Sequence, residues 1–303
     1  MRTVYLGTSQ FAAEILQILA ASPHRPELVV TRPDRPRGRG RRLASPPVLD
    51  AARALEIATD QPESVNDDGA RTRIAAAAPE AVVVCAFGAL IKEPLLSEYP
   101  LLNVHPSLLP RWRGAAPIER AIMAGDERTG VSIMRLTAGL DSGPVCLSAE
   151  EPISAQDTYG TLAARLAPVG GELLVRALDT SPPFRDQDES AVTYAEKITA
   201  EDRVLDPARP AIELERVVRA LSPHIGAAIT GVGADRSERL GVWAATARAH
   251  QPGDPPAGEL GLDGPVPTLG CTPGTLALTS VQPAGRTAMP GDAYLRGLRG
   301  LRG

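Results

Sequence analysis

Asn103 and His105 stand two residues apart in Asn103-Val-His-Pro-Ser-Leu-Leu-Pro-Arg-Trp-Arg-Gly114, and the two prolines that follow stiffen the chain behind them. An asparagine amide can donate a hydrogen bond to an oxygen that gains charge, and an imidazole can exchange a proton near neutral pH. Alternate residues of an extended strand project to one side, so the pair faces one reacting group if a strand runs through it. Attack on a carbonyl is the chemistry that suits them. A third group must then orient the imidazole, and Leu136-Thr-Ala-Gly-Leu-Asp-Ser-Gly143 offers an acid, Asp141, in a glycine-rich turn. Taken one residue at a time the plainer reading is preferred: Asn103 caps a turn, His105 fills a packing niche and Asp141 opens a turn.

Other chemistries lack their signatures. Leu6-Gly-Thr-Ser9 is not a Gly-x-Gly-x-x-Gly loop, and Arg32 rather than an acid follows the second expected strand, which argues against a dinucleotide site. Neither a Walker loop nor a Gly-x-Ser-x-Gly elbow is found. Cys85, inside Val82-Val-Val-Cys-Ala86, reads as an inert core thiol. Cys85, Cys146 and Cys271 are far apart and odd in number, so no disulfide framework, zinc site or other metal is expected, and a reducing cytoplasm fits them. His24, His224 and His250 have no matching partners in the sequence and read as loop or surface residues.

The elements that must position these residues follow from periodicity. Thr3-Val-Tyr-Leu-Gly7 is a short apolar strand ending in glycine, and Phe11 to Leu19 then repeats apolar residues at helical spacing. Further strands are expected at Leu28 to Thr31, Ala81 to Phe87, Leu101 to Val104, Val131 to Leu136 and Val145 to Leu147. Helices are expected at Val48 to Leu55, Ile118 to Met123 and Thr158 to Leu178. Alternation of this kind predicts an α/β fold with a Rossmann-like, doubly wound, mostly parallel sheet over residues 1–180. Ligands bind such sheets beyond the carboxyl ends of the strands, which is where Asn103 and His105 fall.

Thr180-Ser-Pro-Pro-Phe184 and its acidic continuation read as a linker over residues 181–200. Residues 201–303 then offer one helical pattern, Ile212 to Leu221, and short apolar runs cut by glycine and proline at Ala227 to Val232, Leu240 to Ala247 and Thr275 to Val281. A small β-barrel, OB-like, is the expected C-terminal domain.

The 303 residues carry a net charge of −4, which argues against a protein that coats nucleic acid with its whole surface. At 43% hydrophobic and 22% charged they have the composition of an ordinary globular chain, with no apolar run long enough for a membrane span. Charge is concentrated locally instead. Arg32 to Arg42 holds six arginines and one acid among prolines and glycines that forbid a regular helix. Such a segment, exposed and mobile, can bind the phosphates of a polyanion through its guanidinium groups. From Ala200 to Gly303, by contrast, eleven arginines meet eleven acids.

Asn103-Val-His-Pro-Ser-Leu-Leu-Pro, with Gly139-Leu-Asp-Ser-Gly143 downstream, resembles the active-site signature of enzymes that use 10-formyltetrahydrofolate as a formyl donor or hydrolyse it. Thr31 to Gly40, Ser107 to Ile118, Val192-Thr-Tyr-Ala-Glu-Lys197 and Val281-Gln-Pro-Ala-Gly-Arg286 are similar to one branch, the methionyl-tRNA formyltransferases, and span both expected domains. The resemblance implies that Asn103 binds the formyl oxygen, that His105 assists that oxygen or moves the proton, and that Asp141 orients His105 or takes the amine's proton through water. It implies a folate pocket lined by Phe87, Gly88, Leu90, Ser107, Leu108, Leu109 and Pro110. It also implies contact of Arg37, Arg39, Arg41 and Arg42 with initiator methionyl-tRNA, a role of the C-terminal domain in holding the tRNA, and no obligate protein partner. The same signature serves enzymes whose acceptor is an amino sugar, glycinamide ribonucleotide or water, and the arginine segment favours tRNA over these. Ser222-Pro-His-Ile-Gly226 departs from the resembling family in lacking a tryptophan-bearing segment.

Overall fold

The computed structural model describes residues 1–37, 42–232 and 238–300. Thr3–Gly7 (β1) is buried at every position, as a strand covered on both faces must be. Ser9 then caps the helix Gln10–Ala20 (α1), its hydroxyl accepting the Ala12 N–H at 3.2 Å, and Phe11, Ile15, Leu16 and Leu19 form the stripe that α1 buries. The pattern repeats through Pro26–Val30 (β2), the short strands Arg35–Arg37 (β3) and Arg42–Ala44 (β4), Pro47–Ala54 (α2), Ala58–Asp60 (β5) and Asp68–Ala76 (α3). Ala81–Cys85 (β6), Leu95–Glu98 (α4) and Leu101–His105 (β7) complete the parallel part. After Arg113–Gly114 (β8) and Pro117–Ala124 (α5) come Arg128–Arg135 (β9), Val145–Pro152 (β10) and Tyr159–Thr180 (α6).

The main sheet has the order β10-β9-β7-β6-β1-β2-β5. From β5 to β7 neighbours run parallel; β9 lies antiparallel to β7, and β10 antiparallel to β9. This is the Rossmann-like, mostly parallel sheet expected. The chain winds outward from β1 through β2 and β5 and then returns to the other side of β1 with β6 and β7. The switch of direction leaves a crevice beyond the carboxyl ends of β1 and β6. There the Thr8 hydroxyl donates to the Phe87 carbonyl oxygen at 2.7 Å and ties the two strand ends together. Strand β7 extends through His105, one residue beyond the expected end, because His105 pairs with Ser132 of β9.

Helix α6 tolerates Gly170 and Gly171 in its middle because it needs them. A Cβ on Gly171 would lie 2.6 Å from the Ile18 side chain of α1, so the glycine pair sets how closely the two helices approach. Cys85 is fully buried and burial pushes its thiol up to about 12, in keeping with the inert core thiol read from sequence.

Tyr194–Ala195 (β11) precedes the C-terminal elements Ala211–Leu221 (α7), Ala227–Val232 (β12), Glu238–Arg248 (β13), Leu260–Gly261 (β14), Thr268–Gly270 (β15), Thr275–Gln282 (β16), Met289–Pro290 (β17) and Gly291–Gly300 (α8). Strands β12-β13-β16-β15-β14 form an antiparallel sheet with β17 added on β16. Its apolar face packs on α7 through Leu214, Val217, Val218 and Leu221 against Ile229, Val242, Leu276 and Leu278. The sheet, with bulges in β12 and β13, is compatible with the expected barrel. Helix α8 was not expected, since glycines at 291, 297 and 300 interrupt the apolar spacing that marks a helix.

The chain divides into two compact units. The first comprises Met1–Gly114, Arg128–Pro152 and Ala163–Ala195, and the second Ala115–Glu127, Ile153–Leu162 and Glu196–Gly303. Helix α5 thus joins the C-terminal unit, where Met123 packs against the core around α7.

Two histidines read as partnerless loop or surface residues have partners, although His224 does lie exposed in a turn as expected. His24 is only 5% exposed, with its Nε2 2.8 Å from Asp179 and its carbonyl accepting the Thr3 hydroxyl. His224 meets Glu119 of α5 at 3.0 Å and stacks on Tyr159 with ring centroids 3.7 Å apart. The carboxylate partners, Asp179 and Glu119, are each more than 100 residues away along the chain, beyond the reach of local pattern.

Candidate active site

Strand β7 delivers Asn103 and His105 to the crevice side by side, and both are buried. The turn after β9 delivers Asp141 to the same place. Its Oδ1 accepts from Asn103 Nδ2 at 3.4 Å, longer than an ordinary hydrogen bond, and its Oδ2 lies 3.6 Å from His105 Nδ1. On the far side of the imidazole, Nε2 lies 2.9 Å from the Trp112 carbonyl oxygen. A carbonyl can only accept, so this contact places a proton on Nε2 and turns Nδ1 towards the carboxylate. The sequence therefore named three residues that the fold brings together.

The carboxylate is held by more than its two neighbours. Gly114 N–H donates to Asp141 Oδ2 at 2.9 Å. Gly114 has φ 120°, and a Cβ there would lie 2.7 Å from the Ala195 carbonyl oxygen, because β8 pairs directly with β11. Only glycine lets that N–H reach the acid. Residues 185–195, within the expected linker, are hydrogen-bonded into the first unit along most of their length. Arg185 exchanges two backbone hydrogen bonds with Val145, Thr193 Oγ1 accepts the Trp112 N–H at 2.9 Å, and Gln187 and Glu189 bind Arg113. The roles of Gly114, Gln187 and Thr193 were missed by sequence reasoning; no spacing rule links them to Asp141, and the nearest signals were the resemblances over Ser107 to Ile118 and Val192 to Lys197, which contain Gly114 and Thr193.

Two family models match the chain, Formyl transferase over residues 1–178 and Formyl transferase, C-terminal domain over residues 197–299. The methionyl-tRNA formyltransferase of Dechloromonas aromatica (strain RCB) is 41% identical, over 98% of this chain and 96% of that protein. That of Bordetella parapertussis (strain 12822) is 42% identical, over 98% of this chain and 99% of that protein. The chain belongs to the methionyl-tRNA formyltransferase family. Solved structures share its fold at low identity. The Clostridium thermocellum methionyl-tRNA formyltransferase has a TM-score of 0.57 at 14% identity, covering 84% of this chain and 95% of that one. HypX from Aquifex aeolicus, solved with tetrahydrofolic acid, has a TM-score of 0.68 at 17% identity; the match covers 97% of this chain, which spans about half the length of HypX, 47%.

In this member of the methionyl-tRNA formyltransferase family, the segments expected to meet folate lie at two neighbouring strand ends. After β6, Phe87 is buried among Val4, Leu6 and Val84, Gly88 turns the chain with φ 74°, and Leu90 is 68% exposed. Asn66 pins this loop, donating to the Leu90 carbonyl and accepting the Lys92 N–H, each at 2.8 Å. After β7, Ser107 is fully buried and its hydroxyl donates to the Arg111 carbonyl, while Leu108, Leu109 and Pro110 are half-buried. Ser132 braces the turn, its hydroxyl donating to the Ser107 carbonyl at 2.8 Å and accepting the Leu109 N–H at 3.2 Å. Ser132 is another residue that the sequence did not mark.

The described part of the arginine segment forms a short hairpin. Arg37 and Arg42 are register partners in the β3–β4 hairpin, Arg35 is exposed, and Gln61 anchors the base by donating to the Arg32 carbonyl and the Asp34 carboxylate. Arg39 and Arg41 lie outside the described residues. Among the described residues, no helix is long and apolar enough to cross a membrane.

Proposed function

We propose that the chain transfers the formyl group of 10-formyltetrahydrofolate to the α-amine of methionyl initiator tRNA. The observation that carries this reading is the convergence of Asn103, His105 and Asp141, from two separate segments, at a strand end of a chain in this family. The folate enters as a substrate. The amine attacks the formyl carbon to give a tetrahedral intermediate; the bond from that carbon to the folate nitrogen then breaks, the amine loses a proton and the folate nitrogen gains one. Asn103 has two amide hydrogens, and the one not directed at Asp141 donates to the formyl oxygen as it becomes an oxyanion. His105, with Nε2 held by Trp112, works through Nδ1, the nitrogen that Asp141 faces. The carboxylate orients the imidazole and accepts the amine's proton through water.

Phe87, Gly88, Leu90, Ser107, Leu108, Leu109 and Pro110 form the walls of the folate site in this reading. Exposed Leu90 and half-buried Leu108 and Leu109 offer the apolar surface that a flat heterocycle needs. Arg37, Arg39, Arg41 and Arg42 bind tRNA phosphates. Residues 1–180 act as the catalytic domain, 181–200 as a linker whose residues 185–195 bond into the first unit, and 201–303 as the tRNA-holding domain, in the cytoplasm and with no obligate protein partner.

Incubation of the purified chain with 10-formyltetrahydrofolate and methionyl initiator tRNA, beside a control without acceptor, tests the reading. Formyl-methionyl-tRNA is expected only with the charged initiator tRNA. Folate turnover at the same rate in the control would make the protein a hydrolase instead.

A further inference from the structure

Gln187 lies 46 residues beyond Asp141 in the chain, and its side-chain amide has three partners around the Asp141 turn. Nε2 donates to the carbonyl oxygens of Asp141 at 2.8 Å and Gly143 at 2.7 Å, and Oε1 accepts from Arg113 Nε at 2.9 Å. Carbonyl oxygens only accept and a guanidinium only donates, so all three partners demand the same orientation of the amide. Arg113 is in turn immobilised. It is 2% exposed, and its two terminal nitrogens grip the Glu189 carboxylate at 3.2 and 2.7 Å. The neighbours Asp186 and Asp188 are exposed, so Gln187 alone of the three turns inward.

Asp141 needs such a clamp. Its φ of 44° is in the left-handed region, which aspartate tolerates better than most residues but which persists only where the surroundings hold it. Gly143, at the end of the same turn, is fixed from the other side, since any Cβ there would overlap the Arg135 carbonyl. Bonding both carbonyls of the turn sets the direction in which the Asp141 side chain leaves the backbone. That direction decides whether the carboxylate meets Gly114 N–H, Asn103 and His105 together.

We propose that Gln187 is a positioning residue for formyl transfer, its amide bridging the Asp141 and Gly143 carbonyls and so holding the Asp141 carboxylate against His105 and Asn103. The proposal rests on the functional reading of that site given above.

The test is a double-mutant cycle on the full chain, with kcat and both KM values measured for wild type, Gln187→Met, Asp141→Asn and the double variant. Methionine keeps the length of the side chain and removes its donors and acceptor. Gln187→Met is expected to lower kcat by about tenfold to a hundredfold, the scale on which small misplacements act, with both KM values within about threefold. In the Asp141→Asn background it is expected to cost nothing further, because its effect passes through that carboxylate. Should Gln187→Met not fold, Gln187→Glu keeps an oxygen for Arg113, points another at the two carbonyls, and carries the same comparison. An unimpaired Gln187 variant beside an active wild type, or losses that multiply in the double variant, overturns the proposal alone. A wild type without transfer overturns the functional reading and the proposal with it.

Discussion

The turn that carries Asp141 and the hairpin that carries Arg37 and Arg42 belong to the same unit, but they treat their polar groups differently. Around Asp141 the hydrogen bonds from Gly114 and Gln187 are 2.7 to 2.9 Å long and each donor is itself fixed, Gly114 by β11 and Gln187 by Arg113. Among the described residues of the hairpin segment, Gln61 holds Arg32 and Asp34 at the base, and Arg35 is exposed. A catalytic group gains from being fixed before its substrate arrives, since reorganisation then adds nothing to the barrier. A phosphate-binding surface needs positive charge more than fixed geometry. The contrast predicts that substitutions in the two regions affect different kinetic constants.

The largest effect belongs to the fixed region. Asn103→Ala is expected to lower kcat by about a hundredfold or more while leaving folate and tRNA KM nearly unchanged, as removal of an oxyanion donor does. Steady-state kinetics checks it, and a rise in KM with kcat intact would place Asn103 in binding instead. Next comes Gly114→Ala. Its Cβ has no room against Ala195 and its φ of 120° suits no side chain, so about 1–3 kcal/mol of strain is expected. That predicts a lower Tm together with a fall in kcat of about tenfold, read by thermal melts and transfer assays on one preparation.

In the hairpin the expectation reverses. Replacing Arg41 and Arg42 with alanine is expected to raise tRNA KM with kcat preserved at saturation, and to reduce the salt dependence of tRNA affinity by about one unit of slope per arginine lost. Affinity measured over a range of salt concentrations decides this; an unchanged slope would remove these arginines from the tRNA contact. The smallest effect concerns the outer support of the Asp141 turn. The hydrogen bond from Arg113 holds the Glu189 carboxyl below the usual carboxylate range. A lowered folded value means that the pair stabilises the protein above the unfolded glutamate value of about 4.3 and that this contribution is lost as pH falls through the folded value. Glu189→Gln should therefore reduce Tm slightly at neutral pH, with the two melting curves converging below about pH 4.

Much of the site was legible in the primary structure, for physical reasons that differ by residue. Asn103 and His105 share a strand, so the period of two alone places them on one side. The uninterrupted apolar runs of β1 and β6 announce strands buried on both faces, and alternation with helices announces a parallel sheet whose carboxyl ends gather ligands. The arginine run reports its own charge. By contrast, β9 looks in sequence like any other strand, and its antiparallel placement beside β7 appears only when His105 is seen opposite Ser132. Helix α8 was concealed by its glycines, and α5 gave no sign that it packs with the C-terminal core.

What the sequence determined by itself is therefore local: the identity and strand register of the candidate pair Asn103 and His105, the presence of an acid in a tight turn, and the residue types of the charged segment. What only the tertiary structure decided is which distant backbone groups surround them. Asp141 meets His105 from a turn 36 residues further along the chain, Gly114 reaches the acid because β8 pairs with β11, and Gln187 clamps the turn from a segment with no periodic pattern of its own. Periodicity fixes the direction of a side chain relative to its own backbone. The position of one backbone relative to another is set by packing of the whole sheet, and that is where the remaining half of this site is encoded.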